Sequence, residues 1–182
     1  MSGGHLKQSP FYRDGRFAVA VWDGDAGDKL LINVHEPTPR SRFACVTVMM
    51  RGKLEMFDPE GKRRWSYTPG NTSLDGGDFD LHGIWEWRAL ASPTQEICIS
   101  QLGANGRETD EAPEAHVIDM AVGETATVRA GSLIVIPVGG VVVDAGAHSE
   151  RQLLAPHFAR VDHDKDVTAH YSETRIVVVR PR

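Results

Sequence analysis

The sequence predicts an all-β protein built as a sandwich or barrel. Three observations carry this. Short runs of β-branched and aromatic residues recur from one end to the other, several with a period of two. Gly- and Pro-bearing turns separate them at short intervals. A 3.6-residue pattern is nearly absent, and the only helical candidate is a short turn at Glu150 to Leu154. The 182 residues suit one large domain or two compact ones, and such a length can bury a sizeable core.

In chain order, residues 1–16 lack periodicity and are expected as a flexible tail, or as an arm that orders on a neighbouring subunit. FAVAVW (Phe17 to Trp22) reads as a strand. DGDAGD (Asp23 to Asp28) then makes a turn of solvated carboxylates. An EF-hand calcium loop would need a bidentate Glu at its twelfth position, where Val34 stands. KLLINVH is the next strand, and EPTPRSR a loop. VTVMMRGKLEMFD (Val46 to Asp58) reads as two strands meeting in a tight hairpin on Gly52. DPEG (Asp58 to Gly61) has Pro and Gly where a turn wants them, so KRRWSYT can pair back. PGN and DGGD mark further turns. IWEWRAL and EICISQL are strands separated by ASPT. GANGRETDEAP (Gly103 to Pro113) is polar and turn-rich, the best candidate boundary. HVIDM, TATVRA, SLIVIPV, VVVD, ARV, VTAHY and RIVVV are further strands. Pro137 should break its strand or place it at an edge.

The halves look alike in layout. VTVMMRGKLEMFD around Gly52 parallels SLIVIPVGGVVVD around Gly139 and Gly140. WRALASPTQEICI parallels VTAHYSETRIVVV, with Ala89 opposite Ala169. Each half resembles the cupin superfamily, the small jelly-roll barrel of double-stranded β-helix type. Gly52 and Gly77–Asp78 carry the resemblance in the first half. In the second half it is the run from Gly131 through Pro137 to Gly139. The resemblance implies two cupin-like lobes, at 17–102 and 115–182, after an N-terminal arm or tail (1–16) and joined by a linker (103–114).

It also implies a metal held by two His spaced His-x-His, a Glu and a third His. Those residues are not at their positions. Cys45 stands where the Glu is expected, and Pro39, Arg40 and Ser41 occupy the His-x-His region. The third position is Arg88 counted from Gly77, or Val142 counted from Gly131. His35 and His82 are the imidazoles from which a displaced site would have to be built. His157, His163 and His170, with His148 nearby, are spaced like no standard zinc pattern. No metal ligand, cofactor or catalytic residue is therefore assigned.

Other chemistries are equally unmarked. Cys45 and Cys98 lie in apolar strand-like runs and are expected as buried free thiols. There is no Gly-x-Ser-x-Gly elbow, phosphate loop or dinucleotide fingerprint. Glu86 and Glu96 are expected as surface carboxylates on neighbouring strands. The net charge of −5 argues against a nucleic-acid surface. No apolar run approaches the length of a membrane span, and no secretory h-region is read at the start, so cytoplasmic synthesis is expected.

What remains is aromatic and basic. Trp85 and Trp87 share one strand face, as core, as an interface anchor, or as a stacking platform. Lys62, Arg63 and Arg64, with Arg40 and Arg42, make basic patches that either are solvated or meet acidic loops of another copy. Two functions follow. The first is a non-catalytic assembly protein acting by contact with itself or with neighbouring subunits, for which a phage virion is a setting by analogy. The second is a small-molecule or sugar-binding cupin, such as a metal-independent isomerase or epimerase. Its ligand would meet Trp85, Trp87, Arg88 and His82.

Overall fold

The computed structural model describes residues 7–33, 45–73, 84–144 and 150–182. Among them there is no helix, and the strands all pair antiparallel. The first compact unit ends at Ala112 and the second begins at Pro113. The first contains β1 (Lys7–Asp14), β2 (Phe17–Gly24), β3 (Lys29–Asn33), β4 (Cys45–Arg51), β5 (Leu54–Phe57), β6 (Arg63–Tyr67), β7 (Thr72–Ser73), β8 (Ile84–Ala89) and β9 (Thr94–Gln101). The second contains β10 (Glu114–Met120), β11 (Thr125–Val128), β12 (Leu133–Val138), β13 (Gly140–Asp144), β14 (Glu150–Leu154), β15 (His157–Arg160), β16 (Lys165–Ala169) and β17 (Thr174–Arg180).

In the first unit the sheets run β1-β2-β9-β4-β7 and β3-β8-β5-β6. In the second they run β10-β17-β12-β15 and β11-β16-β13-β14. Replacing β2 through β9 by β10 through β17 turns one pair of orders into the other, with β1 as the sole addition. Both segment pairs that look alike in sequence fall on equivalent strands: β4-β5 on β12-β13, and β8-β9 on β16-β17.

Gly52 is not a hairpin turn. β4 pairs with β9 and β7, whereas β5 pairs with β8 and β6, so Gly52 carries the chain from one sheet to the other. Its φ is 73°, a left-handed value that favours glycine. A Cβ there would collide with Thr94 Oγ1 and lie 2.5 Å from the Pro93 carbonyl oxygen. That crowding comes from a clasp. Thr94 Oγ1 donates to the Ala91 carbonyl at 2.8 Å and accepts from the Lys53 N–H at 3.3 Å. Gly139 repeats the device at φ 78°, with a Cβ position 2.5 Å from Thr174 Oγ1. Thr174 Oγ1 donates to Tyr171 O at 2.9 Å and accepts from Gly140 N at 3.3 Å. A buried hydroxyl without these partners would cost about 1–3 kcal/mol, which ties each sheet crossing to a threonine far off in sequence.

Four more expectations are corrected. Lys7–Asp14, expected within the tail, forms β1 and pairs with β2 at the edge of a sheet. Glu150–Leu154 is strand β14 rather than a helical turn, because its backbone pairs with β13. Pro137 neither ends β12 nor puts it at an edge. β12 lies between β17 and β15, and its register with β17 shifts between Val135 and Val138 so that the missing N–H falls in an irregularity. The stretch at 103–114 is not a free linker throughout. Gly103 N–H donates to Arg107 O at 2.8 Å and Thr109 N–H to Gln101 O at 2.9 Å, which folds its first part back on the end of β9.

The outer face of β5, β6 and β8 is ionic. Buried Glu55 accepts from Arg63 at 3.1 Å and meets Lys53 at 3.3 Å. Buried Asp58 takes Arg64 at 2.6 Å and caps its own turn through the N–H groups of Glu60 and Lys62. Burial pushes both carboxyls up, but these donors outweigh it and hold them below their ordinary range. Arg63 and Arg64 are thus engaged within the unit.

Candidate functional site

The interiors of the two units differ. In the second, Met120, Ile134, Ile136, Ile176 and Val178 of one sheet meet Val128, Val141, Val143, Val167 and Ala169 of the other, with Leu153 and Val161. All are buried, and none bears a polar side chain. This is a filled aliphatic core of the kind that drives folding.

In the first unit the equivalent space is aromatic and polar. Thr94 and Thr174 are equivalent through their clasps, so two residues on, Glu96 takes the place of Ile176. Four residues on, Cys98 takes the place of Val178. Ile176 is 0 % exposed among aliphatic neighbours; Glu96 is 6 % exposed and Cys98 5 %. Strand alternation explains the placement. Glu96, Cys98 and Ser100 face one side of β9, and Ile97 and Ile99 face the other.

Glu96 lies across from Trp22 on β2 and from Met49 on β4. Directly opposite residues of an antiparallel pair share a face, so these side chains surround the carboxylate. The Cys98 thiol donates to Glu96 Oε1 at 3.4 Å. Cys98 packs with Ala20, Cys45 and Trp22. Tyr67 of β6 reaches the same region from the other sheet. Burial and the Glu96 charge push its phenol above its ordinary value of 10.0. Trp22, Leu30, Tyr67 and Trp87 each pack against the cluster of Met49, Leu54 and Ala89. The three aromatics in this layer keep accessible surface, being half-buried rather than buried. Next along β8, Trp85 is buried and stacks on Trp65 with ring centroids 6.0 Å apart, and Trp65 is 42 % exposed.

The structure brings together only part of the ligand set expected from sequence. Trp85 and Trp87 do share the inner face. Arg88 does not join them, since alternation along β8 turns it outward. There it donates to Glu86 at 2.8 Å, and its guanidinium lies 4.5 Å from the Phe57 ring centroid. His82 lies outside the described residues, as do His35, His148 and the Gly77–Asp78 turn. Glu96 is corrected from a surface carboxylate to a buried one, and it does not pair with Glu86. Both cysteines are free and buried, as expected.

The metal implied by the resemblance does not fit the residues present at the motif positions. Cys45 is buried in the interior, Arg88 faces out, and Val142 is aliphatic. Among the described residues no three His, Cys, Asp or Glu side chains converge as a metal site would need. His157 is half-buried at the start of β15, and its Nε2 has no hydrogen-bond partner among the described residues. Burial, with Arg151 nearby, holds it below its usual pKa. It stands across from Ile136, which belongs to the aliphatic core of this unit. No helix of the described residues is long and apolar enough to cross a membrane.

No protein-family model and no curated protein matches the chain. Among solved structures it is similar to a cupin 2 conserved barrel domain protein from Leptotrichia buccalis. That match has a TM-score of 0.61 and 8 % identity, and covers 100 % of this chain and 91 % of that one. It is also similar to AerE from Microcystis aeruginosa, with a TM-score of 0.54 and 9 % identity over 97 % of each chain. Identities this low speak to the fold alone.

Proposed function

The chain has the cupin fold, and from that premise we propose that it binds a small molecule inside the first barrel while the second serves as scaffold. One observation carries this reading. Glu96, a buried carboxylate, occupies the position that the sister barrel fills with Ile176. Burying a carboxylate is costly even when it is hydrogen-bonded, and an aliphatic residue is the evident alternative on the same framework. A carboxyl group kept under those conditions in a partly open interior is a functional-site candidate. The half-buried aromatics around it give a ligand apolar surface to cover, the usual make-up of a small-molecule site.

The assembly reading, with its virion setting, draws less support. It rests on a barrel without the family's metal ligands, on an N-terminal arm and on edge strands open to subunit pairing, with basic patches that could meet another copy. Residues 7–14 are instead a strand of the first unit, and Arg63 and Arg64 are held by Glu55 and Asp58.

The test is NMR of the full chain labelled with 15N. Choline, methyl glucoside and acetate are added separately while the indole N–H resonances of Trp22 and Trp87 are followed. At least one compound should shift them saturably, and Glu96→Gln should abolish that response. If none of the three moves the indoles, or if shifts appear only in the second unit, the reading is wrong.

A further inference from the structure

Resting on that reading, we infer that the ligand of the first barrel is an organic cation, a quaternary or alkyl ammonium group held by Glu96 inside an aromatic cage. The cage is formed by Trp22, Tyr67 and Trp87. Trp22 stands directly across the strand pair from Glu96. Tyr67 packs against the cluster that contains Met49, and burial, with a smaller contribution from Glu96, pushes its phenol up. Trp87, like Trp22 and Tyr67, packs against the cluster of Met49, Leu54 and Ala89, and Met49 is the cross-strand neighbour of Glu96 on the other side. One carboxylate thus shares its layer with three aromatic rings that arrive on three strands from two sheets. All three rings retain accessible surface while facing inward.

That combination discriminates among ligand classes. An aromatic face carries negative potential and attracts ammonium groups, most strongly where water is excluded. When ionised, the Glu96 carboxylate adds a negative charge, and a bound cation favours that ionised form while neutralising it. An anionic ligand would meet repulsion from the same groups. A sugar stacks on aromatics but also needs several hydrogen-bonding groups fanned around its hydroxyls. Among the described residues the polar side chains of this layer are one carboxylate, the thiols of Cys45 and Cys98, the Ser100 hydroxyl, one phenol and the indole N–H groups, and only the carboxylate can carry the charge that answers a cation. Among the described residues the buried core of the second barrel is aliphatic, and the one half-buried imidazole on its wall, His157, supplies no negative charge.

The experiment titrates the full chain with choline and with 3,3-dimethylbutan-1-ol, its neutral counterpart of the same shape. Tryptophan fluorescence and the Trp22 and Trp87 indole resonances are followed, with methyl glucoside as a third probe. Choline should bind at least about tenfold more tightly than the neutral alcohol, and Glu96→Gln should remove most of that difference. Because the two isosteres are compared on the unaltered protein, the result does not depend on the variant folding. Equal binding of choline and the alcohol overturns the cation assignment while leaving small-molecule binding intact, as does a response to methyl glucoside alone. Silence from all three probes overturns both.

Discussion

Two barrels with one strand order have been put to opposite uses of their interiors. The second closes on itself with the short connections 129–132 and 161–164, and it packs aliphatic side chains to the centre. The first joins the corresponding strands through the longer segments 34–44 and 74–83, and its inner wall holds a carboxylate, two thiols, a phenol and tryptophans. What the barrels share is the frame. The glycine crossings, the threonine clasps and the turns that bring Gly27 N–H to Ala89 O and Gly123 N–H to Ala169 O (2.8 Å each) recur in both. The comparison teaches that the frame rests on backbone devices at one end of each barrel, leaving the inner wall free to diverge.

The sharpest way to break this comparison is to exchange the two interiors. Ile176→Glu places in the second barrel the carboxyl group that the first accommodates. With no polar side chain among the buried residues of that core, the substitution should cost several kcal/mol and unfold the second unit at ordinary temperature. Hydrogen exchange of β10 and β17 reads this directly. Protection unchanged from wild type would mean that the second interior is as tolerant as the first.

A smaller and symmetrical effect should come from the shared frame. Gly52→Ala and Gly139→Ala each force a Cβ against a clasp threonine at a left-handed backbone position. Each should destabilise by about 1–3 kcal/mol, measured by denaturant unfolding. Similar losses at both sites support a common frame; a loss at one site alone would separate the two crossings.

The amino-acid sequence made the strands legible because half-buried strands alternate, and the turns legible because Gly, Pro and Asp mark them. It also showed the duplicated layout, since the Gly-centred segments recur at matching places. The connection at Gly52 was not legible. A glycine between two apolar runs looks the same whether the chain returns on itself or crosses to another sheet. The choice is made by Thr94, which is distant in sequence. β1 escaped notice because KQSPFYRD has no clear alternation and carries a proline, which an edge strand with a shifted register accommodates. The site was partly legible. Alternation in EICIS sets Glu96 and Cys98 on one face and Ile97 and Ile99 on the other, which reads as a solvent-facing Glu96; that both faces of β9 are buried is not encoded in that pattern. Alternation in IWEWR likewise sends Arg88 away from Trp87. The approach of Tyr67 depends on how the two sheets face each other, which no local pattern encodes.

The central claim is that Glu96 is kept for what it binds and not for the stability it lends. The direct measurement is the thermal unfolding midpoint of Glu96→Met, which keeps the volume and removes the charge. Replacing a buried charge by an apolar residue of similar shape is commonly neutral or stabilising by about 1–4 kcal/mol. The midpoint should therefore stay at or above that of the unaltered protein. A fall of several degrees would show that the carboxylate is a structural member of the first barrel, and would contradict the account.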